Sequence, residues 1–121
     1  MIKGIGIDMC SISRLGNALD TPAFMEKVFT EREKDYALSR EGKTRHLASA
    51  FAAKEAFAKA GGWALGRVGL KNVSLERREG APFLSIQGNA ESLMQSLGVR
   101  SAHVSVTHEG DYAVAVVVLE G

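Results

Sequence analysis

Hydrophobic and polar residues alternate in two segments, one near each end of the chain. In the first segment the odd positions are apolar and comprise Ile5, Ile7 and Met9. The even positions comprise Gly4, Gly6 and Asp8, so a large neighbour can approach the backbone beside Asp8 if this segment is a strand. Residues 99–107 alternate in the same way, which predicts a second strand. Residues 112–119 are apolar on both faces, which predicts a central strand.

Helical signals occupy the region between these strands. Ser11 or Ser13 can cap a first helix, and Thr21 followed by Pro22 predicts the start of a second. Residues 30–33 have the spacing of a capping box, which predicts a third helix to about residue 39.

The middle of the chain predicts a long helix and a hairpin. The alanine-rich segment from about residue 44 predicts a helix that ends at the Gly61-Gly62 pair. A hairpin is predicted from residues 68–77 and 83–86, joined by a turn at 79–82, and a further helix from 89–97. These elements predict one α+β domain over residues 1–121, with an antiparallel sheet packed against the long helix.

Composition and charge exclude several classes of protein. The 121 residues are 45% hydrophobic, which is enough for one domain with a core. Fifteen basic and fourteen acidic residues give a net charge of +1, which argues against nucleic acid as a partner. The single cysteine, Cys10, permits no internal disulfide, and no apolar run approaches the ~20 residues of a membrane span. We therefore expect a soluble cytoplasmic protein that does not enter a membrane.

Three charged residues stand out as candidate site residues. Phe51, Glu55 and Lys59 are four residues apart and lie on one stripe of the long helix. If this helix packs against the first strand, Asp8, Glu55 and Lys59 converge. Carboxylates beside a lysine suit Mg²⁺-assisted phosphoryl chemistry. Alternatively, Asp8 caps a helix or forms a turn, and Glu55 and Lys59 are an exposed helical pair. For the neighbouring Lys54, a solvated position is expected.

Two further residues have both a structural and a functional interpretation. His108 lies at the end of a strand just before a turn, where a histidine can pair with backbone or take part in a site. Arg14 lies between the apolar positions Ile12 and Leu15, and its long side chain can reach either solvent or a partner.

Three segments together resemble the holo-[acyl-carrier-protein] synthases, short members of the 4′-phosphopantetheinyl transferase superfamily. They are Gly-Ile-Gly-Ile-Asp at residues 4–8 with Arg14 six residues later, Phe-Ala-Ala-Lys-Glu-Ala-Phe-Ala-Lys-Ala at 51–60, and Val-Ser-Val-Thr-His at 104–108 followed by Tyr-Ala-Val-Ala. The resemblance implies the fold of that superfamily and a homotrimer with sites between subunits. It also implies transfer of 4′-phosphopantetheine from coenzyme A to a serine of an apo acyl carrier protein, with release of adenosine 3′,5′-bisphosphate.

The resemblance also implies roles for the charged residues. Asp8 and Glu55 correspond to the ligands of Mg²⁺, which bridges pyrophosphate oxygens and neutralises their charge during transfer. Lys59 corresponds to a lysine near the phosphates, which either stabilises the leaving group or assists deprotonation. A water molecule is an equally good base.

Further positions match, and two depart from the family pattern. Thr107 and His108 correspond to part of the coenzyme A pocket, contributed across a subunit boundary, and Arg14 corresponds to the contact with the carrier protein. The family commonly has arginine where this chain has Ala50, and Gly-Thr-Gly where it has Gly-Trp-Ala at 62–64.

Two other functions remain open at this point. One is a non-catalytic module that binds coenzyme A or a nucleotide, which the departures at Ala50 and Trp63 favour. The other is a metal-dependent nuclease built on Asp8 and Glu55 with Lys59, which the near-neutral charge disfavours. The sequence does not distinguish a fatty-acid carrier from a polyketide carrier.

Overall fold

The computed structural model describes all 121 residues. In chain order the elements are β1 (Ile2–Ser11), α1 (Ile12–Ala18), α2 (Pro22–Val28), α3 (Glu31–Leu38), α4 (Lys43–Gly61), α5 (Leu65–Val68), a 3₁₀ turn (Leu70–Asn72), β2 (Val73–Arg78), β3 (Ala81–Ile86), α6 (Gly88–Leu97), β4 (Ser101–Glu109) and β5 (Tyr112–Glu120). None of the helices combines the length and apolar character needed to cross a bilayer.

The main sheet is antiparallel and has the strand order β1-β5-β4, while β2 and β3 form a separate hairpin. The prediction that residues 112–119 form a central strand is therefore confirmed. Asp8 of β1 pairs with Ala115 of β5, which pairs in turn with Val106 of β4. Since paired residues share a face, this register fixes which side chains of the three strands point the same way.

Helix α4 packs on the sheet face that carries the two glycines of β1. A Cβ atom built on Gly4 would lie 1.9 Å from the carbonyl oxygen of Ala60, and one built on Gly6 would lie 2.0 Å from that of Ala56. Only a residue without a side chain permits this approach. The large neighbour that the alternation predicted beside Asp8 is thus the backbone of α4.

The opposite face of the main sheet carries apolar side chains in contact with solvent. Ile5, Ile7 and Met9 of β1 are 65%, 61% and 59% exposed. The register places them beside Val118, Val116 and Val114 of β5. The alternation of β1 is therefore as predicted, but within one chain its apolar face is the open one.

The strand predicted at residues 68–77 begins too early in the chain. The segment begins with the end of α5 and the 3₁₀ turn, and β2 starts only at Val73. Gly69 has a positive φ of 81°, which breaks the extended conformation, and the Asn72 side chain donates a hydrogen bond to the Val68 carbonyl.

Lys54 does not have the solvated position predicted for it. Its side chain is 1% exposed, and its ammonium lies 2.7 Å from the Glu33 carboxylate, which is fully buried. It also donates to the carbonyls of Leu70 and Val73. A buried charge needs such partners, and the carbonyl groups of the 3₁₀ region supply them. Burial lowers the pKa of Lys54, and Glu33 opposes that shift.

The helix starts follow the predicted caps with one exception. The capping box is confirmed, since the Thr30 side chain accepts from the Glu33 amide and the Glu33 side chain accepts from the Thr30 amide. Ser11 caps α1 by accepting from the Arg14 amide. Thr21 precedes Pro22 as predicted but forms no side-chain capping hydrogen bond.

Candidate active site

Asp8 lies within β1 and neither caps a helix nor forms a turn, so that alternative is wrong. Its carboxylate is 10% exposed and lies 2.8 Å from the Lys59 ammonium, which is 57% exposed. Lys59 also donates to the Ile7 carbonyl, at 3.2 Å. Strand β1 and the last turns of α4 therefore meet at an ion pair at the surface.

Glu55 lies one helical turn before Lys59 and is half-buried on the same side of α4. Burial raises the pKa of Glu55, the negative charge of Asp8 raises it further, and Lys59 opposes the shift. Two carboxylates near one another repel, so a cation between them is favoured. The prediction that Asp8, Glu55 and Lys59 converge is confirmed, and the alternative of an isolated helical pair is wrong.

A cavity of about 320 Å³ adjoins the two carboxylates. Its lining comprises Asp8, Met9, Cys10, Ser11, Arg14, Leu15, Ala18, Phe24, Phe51 and Glu55. Charged groups thus lie beside an apolar wall drawn from α1, α2 and α4. Burial, followed by the charges of Asp8 and Glu55, raises the pKa of the Cys10 thiol to about 11, so that thiol stays protonated at neutral pH.

Arg14 is exposed on α1 and lines the cavity close to the carboxylates. Helix α1 follows β1 without an intervening loop, because Ser11 is both the last residue of the strand and the N-cap of the helix. A short backbone segment therefore fixes Arg14 relative to Asp8.

Thr107 and His108 do not line this cavity. Both are exposed at the end of β4. Thr107 pairs with Val114 on the open face, and His108 pairs with Ala113 on the face toward α4. Since β5 lies between β4 and β1, a single chain does not bring these two side chains to the carboxylates.

The two departures from the family pattern occupy packed positions. Ala50 is 3% exposed and belongs to the core. Trp63 packs against Phe57 with ring centroids 5.3 Å apart. It also covers Gly61, where a Cβ atom would lie 2.3 Å from its ring. Both residues therefore have a structural explanation.

The structure also joins residues that the sequence did not connect. The carboxylate of Asp111, in the turn between β4 and β5, binds Ser11 and Ser13 at the start of α1. The Glu33–Lys54 pair links α3 to α4. The turn at 109–111 was predicted, but no spacing rule relates residues about 100 positions apart.

The donor set at Asp8 and Glu55 fits a magnesium ion. No group of three or more His, Cys, Asp or Glu side chains is placed to hold a metal ion, so a cation at this place would have these two carboxylates as its protein ligands. Mg²⁺ is typically held by one or two carboxylates while it keeps water and binds substrate phosphates. The adjoining cavity leaves room for such additional ligands.

Comparison with known proteins agrees with this fold and site. The model of the 4′-phosphopantetheinyl transferase superfamily matches residues 4–117. The holo-[acyl-carrier-protein] synthase of Treponema denticola is 42% identical over the full length of both chains. The chain therefore belongs to the 4′-phosphopantetheinyl transferase superfamily and, within it, to the holo-[acyl-carrier-protein] synthase family.

Solved structures of this family have the same architecture. The holo-[acyl-carrier-protein] synthase of Neisseria meningitidis superposes with a TM-score of 0.91 at 30% identity, covering 100% of both chains. That of Bacillus anthracis, solved in complex with coenzyme A (3′,5′-ADP), has a TM-score of 0.81 at 34% identity and covers 98% of this chain and 96% of its own. The predicted α+β fold, with an antiparallel sheet packed on a long helix, is confirmed.

Proposed function

We propose that this chain transfers 4′-phosphopantetheine from coenzyme A to a serine of an apo acyl carrier protein and releases adenosine 3′,5′-bisphosphate. The observation that carries the proposal is the convergence of Asp8, Glu55 and Lys59 beside a cavity. Two carboxylates and one ammonium are the groups needed to hold a cation and to stabilise phosphate charge. Family membership supplies the identity of the donor and acceptor.

Asp8 and Glu55 are the proposed ligands of Mg²⁺. When bound, the ion supplies neutralisation of the charge that develops on the pyrophosphate oxygens. Burial raises the pKa of Glu55 and the negative charge of Asp8 raises it further, and the repulsion between the two carboxylates is the electrostatic reason for a cation at this place. The two side chains come from different elements, so a bound ion would also join β1 to α4.

Lys59 is proposed to stabilise charge on the phosphates or on the leaving group. Its hydrogen bond to Asp8 and the charge of Asp8 raise the pKa of its ammonium. A raised pKa keeps the group protonated and disfavours it as a general base. With Asp8 free of a metal ion, this favours water over Lys59 as the base that deprotonates the acceptor serine.

Arg14 is the proposed contact with the carrier protein. It is exposed, lies at the cavity and is the only basic residue between Asp8 and Ala23. A guanidinium can bind a carboxylate of an acidic partner with two hydrogen bonds. The acceptor serine would then enter beside Asp8.

The active form is proposed to be a homotrimer in the cytoplasm. The open face of the main sheet, defined by Ile5, Ile7 and Met9 with their partners on β5, is a contiguous apolar surface of the kind that a second copy of the chain covers. Association would also allow Thr107 and His108 of one subunit to line the coenzyme A pocket of another. The unpaired thiol of Cys10 favours a reducing compartment.

Light scattering tests the trimer. Ile7→Asp should produce monomers, because it places a charge on the open face. Leu38→Asp is the matched control, since Leu38 is 66% exposed on α3, away from the sheet. A fully active monomeric wild type at low concentration would contradict the shared site.

The reaction is tested by incubating the protein with coenzyme A, Mg²⁺ and an apo carrier protein. The expected result is the mass shift of the carrier that corresponds to one phosphopantetheine group. Binding of coenzyme A with no mass shift on any acyl carrier protein would instead support the non-catalytic module. Parallel fatty-acid and polyketide carriers identify the preferred acceptor.

A further inference from the structure

A network of hydrogen bonds joins the turn between β4 and β5 to the start of helix α1. The Asp111 carboxylate accepts hydrogen bonds from the Ser11 hydroxyl at 2.8 Å, the Ser13 amide at 2.9 Å and the Ser13 hydroxyl at 2.8 Å. Its backbone carbonyl accepts from the Ile12 amide at 2.7 Å. The Ser11 oxygen in turn accepts from the Arg14 amide at 3.3 Å. The four residues Ser11 to Arg14 are therefore held by Asp111. Arg14 is held through Ser11, and the other three contact Asp111 directly.

Helix α1 depends on external support of this kind. It has seven residues, no acidic residue in its first turn, and Leu15 as its one buried side chain. A helix this short is not stable alone in water. Asp111 supplies both the missing hydrogen-bond acceptor and the negative charge that a helix N-terminus favours. The hydrogen bonds from Ser13 and Ser11 lower the pKa of Asp111, in agreement with an ionised acceptor.

The location of this network relates it to the carrier-protein contact. Strand β1 leads directly into α1, so the network lies between Asp8 and Arg14 along the chain. We propose that Asp111 is a positioning residue that holds helix α1, and with it Arg14, in the orientation that binds the carrier protein. This inference rests on the proposed function. Asp111 does not line the cavity and takes no part in the chemical step.

The direction in which the KM for the carrier changes distinguishes the positioning role of Asp111 from a purely electrostatic effect of its charge. Asp111→Asn removes a negative charge near a surface that binds an acidic protein, so electrostatics alone would lower the KM for the carrier. The positioning role requires the opposite result. We expect a several-fold rise in the KM for the carrier, with the KM for coenzyme A and kcat little changed.

Two further variants complete the experiment. Asp20→Asn removes the same charge just beyond α1 without touching the network, and it should leave the carrier KM unchanged or lower it. Ser13→Ala removes the Ser13 hydroxyl, which donates to Asp111 and lies 3.3 Å from the Ser11 hydroxyl. It keeps the Ser13 amide and the charge of Asp111, so it should raise the carrier KM by an intermediate factor. Hydrogen exchange should be faster in α1 of Asp111→Asn and unchanged in α4.

The outcomes distinguish this inference from the proposed function. No transfer by the wild-type protein would overturn the proposed function and the inference with it. An active wild type together with an unchanged or lower carrier KM in Asp111→Asn would overturn the inference alone. A loss of kcat together with equal rises in the KM for the carrier and the KM for coenzyme A would also overturn it, because these changes would indicate a general loss of structure.

Discussion

The Lys59 ammonium lies 2.8 Å from the Asp8 carboxylate and joins the end of α4 to β1. This ion pair is largely exposed on the lysine side, so its contribution to folding is small. Its greater effect is electrostatic, because the lysine places positive charge where two carboxylates would otherwise repel. Lys59 thus provides positive charge at the place proposed for Mg²⁺.

Removal of either carboxylate or of the metal should abolish most of the transfer. Asp8→Asn and Glu55→Gln are expected to lower kcat by about 100-fold or more, because charge neutralisation is the main source of acceleration in phosphoryl transfer. Chelation of Mg²⁺ should have a similar effect. Glu91→Gln, an exposed position on α6, is the control. Activity near that of the wild type in Asp8→Asn or Glu55→Gln, with a native circular dichroism spectrum, would remove the proposed metal site.

A single methyl group at Gly6 should destabilise the fold. The added carbon would lie 2.0 Å from the Ala56 carbonyl oxygen, and backbone atoms cannot move aside as a flexible side chain can. We expect Gly6→Ala to lower the free energy of unfolding by about 3 kcal/mol in urea titrations. Gly66→Ala is the matched control, since no atom lies within 4 Å of the added carbon. Equal stability of the two variants would contradict the close packing of β1 on α4.

Loss of the Lys54 ammonium should lower the free energy of unfolding, although Lys54 does not line the cavity. Lys54→Met leaves the Glu33 charge buried without its partner, which costs about 3 kcal/mol of unfolding free energy. The exposed Lys43→Met on the same helix should change stability by less than about 0.5 kcal/mol. Adding Glu33→Gln to Lys54→Met should recover part of the loss. No recovery in the double variant would show that the carbonyl contacts, rather than the ion pair, dominate.

Charge reversal at Arg14 should affect only one of the two substrates. Arg14→Glu is expected to raise the KM for the carrier protein several-fold and to leave the affinity for coenzyme A unchanged, because like charges then face each other at the contact. Higher salt should weaken the wild type in the same direction. Arg100→Glu makes the same change of charge at the opposite end of the main sheet. If both reversals had equal effects, net charge rather than a local contact would govern binding.

Acidification should destabilise the protein through His46. Its ring lies 5.1 Å from that of Tyr36, and burial, followed by the charges of Arg45 and Arg77, lowers its pKa. The unfolded chain then binds a proton near the ordinary histidine pKa of about 6.5 while the folded chain does not, so stability falls as the pH drops below that value.

Thermal unfolding between pH 7 and 5 measures this effect. The slope of melting temperature against pH should be smaller in His46→Gln than in the wild type, because the variant lacks the titrating ring. Carboxylates contribute to the slope at lower pH in both proteins. Identical slopes throughout the interval would exclude His46 as the source.

The sequence predicted those parts of the molecule in which a local pattern coincides with a tertiary contact. Alternation in β1 placed Asp8 on the glycine face, and four-residue spacing placed Glu55 and Lys59 on one stripe, so their meeting followed once the helix packed on the strand. The 3₁₀ turn before Val73 was missed because no local pattern indicates the positive φ of Gly69 or the hydrogen bonds from Lys54 to the Leu70 and Val73 carbonyls. A lysine beside Glu55 carries no local signal that it is buried.

The two faces of β1 also determine which changes in length this segment tolerates. Successive side chains alternate, so deletion of Ile7 would turn Asp8 toward the open face if the residues up to Gly6 keep their places. If the residues from Asp8 onward keep their places instead, Ile5 would point at the Ala56 carbonyl, where no side chain fits. A change of one residue in the length of β1 therefore disrupts either the carboxylate pair or the packing on α4, whereas exchange of one apolar residue for another on the open face leaves both in place.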